Sequence, residues 1–148
     1  MLYERDADLV IPPASLTKIM TMMLALDAVD AGRIALSDRI SITRQDATLP
    51  YRSSLMYLQE GMSVPFDDLL RGMAVISGND AALTVARVLA GSTAAFAELM
   101  NERAEKLGLS ATRFVEPSGL SELNSTTARE MAILARDYIV KHPGALAD

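Results

Sequence analysis

Cysteine and tryptophan are both missing from the 148 residues. Without thiols the chain can form no disulfide, hold no metal through thiolates and use no cysteine nucleophile. That absence leaves the compartment open, since cysteine-free chains occur on both sides of a membrane. Histidine occurs once, and no His/Asp/Glu group has metal-ligand spacing, so no metal is expected. No stretch reaches the roughly 18 consecutive apolar residues that a membrane-spanning helix requires. Met1 to Asp6 shows no basic stretch followed by an apolar core, so no signal peptide is expected at this abrupt, short apolar start. A basic excess is lacking too: 14 basic against 19 acidic residues leave a net charge of −5, which argues against a general nucleic-acid binder. Repeats, low-complexity runs and Gly/Pro/Ser-rich linkers are also absent.

What is present describes one ordinary domain. Half the residues are hydrophobic, 22% are charged and the mean hydropathy is +0.19, which excludes disorder. Pro12-Pro13 halts preceding structure, and a helix over about 15–31 follows, with Leu16, Ile19, Met20, Met22, Met23, Leu24, Leu26 and Val29 and with Gly32 as its stop. No charge lies between Lys18 and Asp27, so this helix belongs in the middle of a core. Residues 33–64 read as irregular, with short strands expected at Ile40–Thr43 and Leu55–Leu58 and a turn at Glu60-Gly61-Met62. Further helices are expected at about 66–76, opened by Pro65 with Asp67 and Asp68 in its first turn, and at about 81–89.

Ser92 or Thr93 caps the next helix, about 93–107, with Phe96, Leu99, Met100 and Ala104 on one face. After a loop, Thr127 and Glu130 fit a capping box for a last helix over about 127–140, with Met131, Leu134, Ala135 and Tyr138 inward. His142, beside Pro143-Gly144, reads as an exposed helix-end residue. The nine methionines read as core filler. The fold class is therefore mainly α.

Two short patterns carry chemistry. In Ser15-Leu16-Thr17-Lys18, positions i and i+3 share a helix face, which puts a hydroxyl beside an amine. A serine becomes a nucleophile when a neighbour takes its proton, and a desolvated lysine can do so. Ala14, Thr21 and Met22 surround Lys18 at helical spacing, and none is a carboxylate. The chain carries eleven arginines and three lysines, and an arginine here could not serve as a base. The bland alternatives are a snorkelling lysine or one paired with a distant carboxylate. Ser77-Gly78-Asn79, wedged between two helices, can present a proton relay and a substrate-binding amide; the bland alternative is a helix break with Asn79 or Asp80 as N-cap. Each pattern is expected by chance about 0.25 times in a chain of this composition, and both in order on suitable elements about 5% of the time.

Pro13-Ala14-Ser15-Leu16-Thr17-Lys18-Ile19-Met20-Thr21 resembles, almost letter for letter, the nucleophile helix of the serine D-Ala-D-Ala carboxypeptidases, the low-molecular-mass penicillin-binding proteins. Ser53-Ser54-Leu55-Met56, Gly61-Met62-Ser63-Val64-Pro65, Ile76 to Ala81, Phe96 to Asn101, Leu107-Gly108-Leu109 and Pro117-Ser118-Gly119-Leu120 are similar to further signatures of that family, in family order. The resemblance implies the helical region of the α+β serine β-lactamase/DD-peptidase (transpeptidase-like) fold, without most of its five-stranded sheet. It implies Ser15 as nucleophile on a peptidoglycan stem peptide ending in D-Ala-D-Ala, Lys18 as general base, Ser77 as proton relay and Asn79 as substrate-binding residue. It implies covalent inhibition by β-lactams and action outside the cytoplasmic membrane, in the periplasm or at the extracytoplasmic face of the cell membrane.

One departure is large. The family's third motif, Lys-Thr/Ser-Gly on a strand that also supplies an oxyanion-hole N–H, is absent from these residues: Lys106 and Lys141 are followed by Leu and His. Weak or absent activity of the 148 residues alone is therefore expected, and so is self-association through a face the sheet would cover. Two alternatives stay open. One is a serine β-lactamase-like hydrolase, for which no deacylating carboxylate can be placed, although Glu116 precedes a loop proline. The other is a non-catalytic helical module that binds a partner.

Overall fold

A helix with no charged residue from Ile19 to Leu26 has no face to offer water, and in the computed structural model, which describes residues 3–49 and 53–146, it runs through the centre. This helix, α1 (Thr17–Asp30), touches every other α-helix: α2 (Phe66–Ile76), α3 (Asn79–Ala90), α4 (Thr93–Lys106) and α5 (Ala128–Lys141). Met20, Met23, Ala25 and Ala28 are fully buried on it. Two apolar clusters flank it. One joins Met20 and Met23 to Phe96, Met100, Phe114, Met131 and Leu134; the other joins Ala25 to Phe66, Leu69, Met73 and Val85, with Met22 and Leu26 packed against both. Gly32 ends α1: at φ +68° it lets Arg33 N donate to Ala28 O and Gly32 N to Val29 O, the paired bonds that satisfy the last carbonyls.

The helix expected from residue 15 begins two residues late. Ala14–Leu16 form a 3₁₀ turn, entered through Ala14 at φ +48°, so Ser15 sits on a strained lead-in rather than on the α-helix itself. The helix expected at 81 begins instead at Asn79, with Gly78 in the cap position, so neither Asn79 nor Asp80 is the cap. Ser92 caps α4, its hydroxyl accepting from Ala95 N at 3.1 Å. Leu99 departs from the expected inward face and is partly exposed. Thr127 caps α5 by accepting from Glu130 N at 3.1 Å, but only this half of the capping box forms. The Glu130 carboxylate turns to Ala111 N and to the Thr112 hydroxyl, 2.6 Å away, because it faces that loop in a buried position.

Strands are few. β1 (Arg39–Ser41) pairs antiparallel with β2 (Ser63–Pro65), Ile40 opposite Val64. The strand expected at Leu55–Leu58 does not form. Tyr57 stands at φ +60°, and the N–H groups of Met56 and Leu58 donate to the Asp80 carboxylate instead of to a strand. His142 also departs from expectation: it is buried at the end of α5, Nε2 3.0 Å from Asp27 Oδ1 and Nδ1 3.3 Å from Asp30 Oδ2. Of the methionines, Met20, Met23, Met73, Met100 and Met131 fill core, while Met62 is exposed. Val75, Ile76, Ile133, Ile139 and Val140 leave apolar side chains of α2 and α5 in solvent. Among the described residues, no single helix is long and apolar enough to cross a membrane.

Candidate active site

Three segments far apart in sequence converge at the start of α1. The Ala14–Leu16 turn presents the exposed Ser15, and the end of α2 presents Ser77, held at φ 57° and ψ 37° in the left-handed region. Ser77 Oγ donates to Ser15 Oγ at 2.9 Å. The third segment is the loop after Glu116. Gly119, at φ +86°, passes so close to the turn that a Cβ there would lie 1.8 Å from the Ala14 carbonyl oxygen. Only glycine permits both that φ and that approach.

Lys18, second residue of α1, points into the space between these segments and is almost fully buried. Its amine donates to Asn79 Oδ1 at 2.7 Å and to the Ser118 carbonyl at 2.6 Å. Both acceptors are neutral. Burial pulls the amine down to about 8, opposed by the negative charge of Glu116. The positive end of α1 also disfavours a cation in its first turn. A neutral amine has two N–H bonds, and these two acceptors use both, which leaves the lone pair free to take a proton. Among the described residues no hydrogen bond joins Lys18 to Ser15 directly. The side-by-side pair expected from i, i+3 spacing is replaced by two adjacent pairs, Ser15 with Ser77 and Lys18 with Asn79, because Ser15 lies on the 3₁₀ turn and the amine is drawn toward α3 and the loop.

The Ser77-Gly78-Asn79 connection is fixed from beneath by a carboxylate that the sequence offered only as an N-cap. Asp80, buried in the first turn of α3, accepts from Met56 N at 2.9 Å and Leu58 N at 3.0 Å. Asn79 N donates to Ser54 O at 2.8 Å. The 53–58 segment is thereby strapped across the connection. Asn79 Oδ1 is spent on Lys18, so its Nδ2 is the end of the amide that remains to donate to a ligand.

The 116–124 loop has its own internal frame. Glu116 accepts from Ser118 N at 2.7 Å, Gly119 N at 2.6 Å and Asn124 Nδ2 at 2.9 Å, and from the Ser118 hydroxyl. Asn124, fully buried, also accepts from Val115 N and donates to Thr17 Oγ1 at 3.2 Å. Thr21 Oγ1 donates to the Pro117 carbonyl at 2.7 Å. Ser118, Asn124, Thr17 and Thr21 were not singled out as site residues from sequence, and Glu116 was weighed there only as a deacylating carboxylate. The Pro117-Ser118-Gly119-Leu120 signature marks the loop but not the partner of each group. Both Glu116 oxygens are committed to loop donors, so this carboxylate is not placed as the water-activating base a β-lactamase-like reading needs. No group of three or more His, Cys, Asp or Glu among the described residues could hold a metal ion.

A family profile described as D-alanyl-D-alanine carboxypeptidase matches residues 1–147. The carboxypeptidase DacF of Bacillus subtilis (strain 168) is 36% identical over 140 residues, 94% of this chain and 36% of its own length. The crystal structure of the D-alanyl-D-alanine carboxypeptidase DacD from Francisella tularensis superposes with a TM-score of 0.92 at 39% identity, over 97% of this chain and 35% of that one. A penicillin-binding protein of Listeria monocytogenes, solved in a cefotaxime-bound form, superposes with a TM-score of 0.88 at 35% identity, over 99% of this chain and 59% of that one. The fold is that of the helical region of these DD-peptidases, and the chain spans little more than a third of the length of the Bacillus relative.

Proposed function

The chain belongs to the D-alanyl-D-alanine carboxypeptidase family, and on that premise we propose that it removes the terminal D-alanine from peptidoglycan stem peptides through an acyl-enzyme on Ser15. The observation that carries this reading is the paired contact at the start of α1: Ser77 Oγ on Ser15 Oγ at 2.9 Å, beside a buried Lys18 amine held at 2.7 Å by Asn79. Ser15 Oγ attacks the amide carbonyl between the two D-alanines, and its proton passes to the neutral Lys18 amine. Ser77, already bonded to the nucleophile, carries a proton to the leaving nitrogen as the C–N bond breaks and D-alanine departs. Asn79 Nδ2 holds the acyl side of the substrate. Water then cleaves the Ser15 ester, giving the shortened peptide and the free serine. A β-lactam presents a strained cyclic amide in place of the D-Ala-D-Ala bond and acylates Ser15 in the same way, its ring C–N bond breaking.

This chemistry requires the reaction centre to face the cell wall, outside the cytoplasmic membrane. The 148 residues contain no Lys-Thr/Ser-Gly tripeptide, and loss of an oxyanion-hole donor alone costs about 10²–10³ in kcat. Assayed by themselves they are expected to turn over slowly. Labelling with a fluorescent penicillin, and release of D-alanine from a D-Ala-D-Ala peptide, test the proposal. Ser15→Ala is expected to abolish both. Labelling that persists in Ser15→Ala, or tight binding to another protein with no labelling of the native chain, would refute it.

A further inference from the structure

We propose that Glu116 is a positioning residue for the reaction, folding the 116–121 loop so that the Ser118 carbonyl meets the Lys18 amine and Gly119 buttresses the Ser15 turn. The inference rests on the acyl-enzyme reading above and adds a residue to it. A carboxylate has acceptors only, and among the described residues every hydrogen-bond partner of the Glu116 carboxylate is a donor: Ser118 N, Gly119 N, Ser118 Oγ and Asn124 Nδ2, with Ser121 N further off at 3.4 Å. Three of these donors belong to Ser118 and Gly119, the two residues that touch the catalytic turn. Their outward-facing groups do different jobs. The Ser118 carbonyl takes a Lys18 N–H at 2.6 Å, and the Gly119 backbone lies against the Ala14 carbonyl. Asn124 closes the frame by tying the loop to Thr17, the residue before Lys18 in the chain.

Glu116 also acts through space. Its charge favours the protonated amine and so opposes the burial that lowers Lys18. Position and charge thus come from the same carboxylate. A glutamine at 116 would set an N–H₂ against a ring of N–H donors, leaving at least one donor unpaired, and would remove the negative charge.

The test uses the full chain and two readouts. One is the Lys18 ¹³Cε titration by NMR; the other is the pH profile of Ser15 acylation by a fluorescent penicillin. For Glu116→Gln, the Lys18 midpoint and the acid limb of the acylation profile are expected to move together to lower pH. The plateau rate above the midpoint is expected to fall about 10–10²-fold, the scale of a displacement near 1 Å. Glu116→Asp keeps the charge but withdraws it by one methylene. It is expected to lose rate with a smaller change in midpoint, and it reads the same comparison should Glu116→Gln fail to fold. An unchanged Lys18 midpoint in Glu116→Gln overturns the proposal, whether the rate is preserved or falls equally at every pH, since the latter marks a merely structural loop residue. If native protein is not labelled at Ser15 at all, the acyl-enzyme reading fails, while the NMR titration still reports whether Glu116 governs Lys18.

Discussion

The two ends of α1 treat a buried charge in opposite ways. At its start, Lys18 is buried against two neutral acceptors, Asn79 Oδ1 and the Ser118 carbonyl, and the cheapest response is to lower its hold on the proton. At its end, Asp27 is largely buried but is ringed by donors: the cations Arg103 and Lys141, whose Nζ lies at 2.6 Å, and His142 Nε2 at 3.0 Å. A carboxylate in the last turn opposes the helix dipole, and three positive or donating groups offset it. The first arrangement favours a neutral amine; the second makes a clasp that joins α1, α4 and α5. Burial alone decides neither outcome. The partners do.

Lys18→Arg breaks the comparison most directly, because it keeps the cation and removes its ability to give up a proton. Penicillin acylation is expected to fall by about 10²–10⁴-fold, the usual contribution of a positioned base. Retention of normal labelling would mean that the base lies elsewhere. Asp27→Asn should do the reverse. It strips a nearly buried carboxylate from three partners and is expected to cost about 2–3 kcal/mol in urea unfolding, below the range for a fully buried pair because Arg103 and Lys141 are partly in water. The acylation pH profile, corrected for folded protein, should not move.

Smaller effects sharpen the contrast. With the amine near 8, about one Lys18 in ten is neutral at pH 7 and half at pH 8, so the acylation rate should rise about fivefold over that unit. A flat profile across this range would contradict the assigned base. The smallest effect concerns His142. Burial holds it below its ordinary value near 6.5, with Lys141 and Arg103 acting in the same sense and Asp30 and Asp137 against it. The unfolded chain then binds this proton more readily than the folded one, so stability is lost as pH falls through and below about 6.5. Thermal melts between pH 7 and 5 should show this slope, and His142→Gln should flatten it.

Much of the frame is legible locally. The charge-free run from Ile19 to Leu26 marks α1 as central, Gly32 marks its end, and Ser92 and Thr127 mark helix starts. Each of these signals acts within a turn or two of its own residue. The failures have the opposite character. Leu55–Leu58 has strand-like composition but is claimed by Asp80, more than twenty residues on. Glu130 has the right spacing for a capping box but spends its carboxylate on Ala111 and Thr112. His142 looks terminal and is buried by the aspartates of another helix.

The order of residues by itself pointed to Ser15, Lys18, Ser77 and Asn79 as candidate site residues and determined that a mostly helical chain would carry them, because periodicity, capping and motif spacing are short-range properties. Tertiary structure decided what each one touches. Lys18 meets Asn79 across 61 residues and Ser118 across 100, and Ser77 reaches Ser15 across 62. No local pattern encodes such contacts, since they exist only once α1 is enclosed and water is driven from the amine at its head.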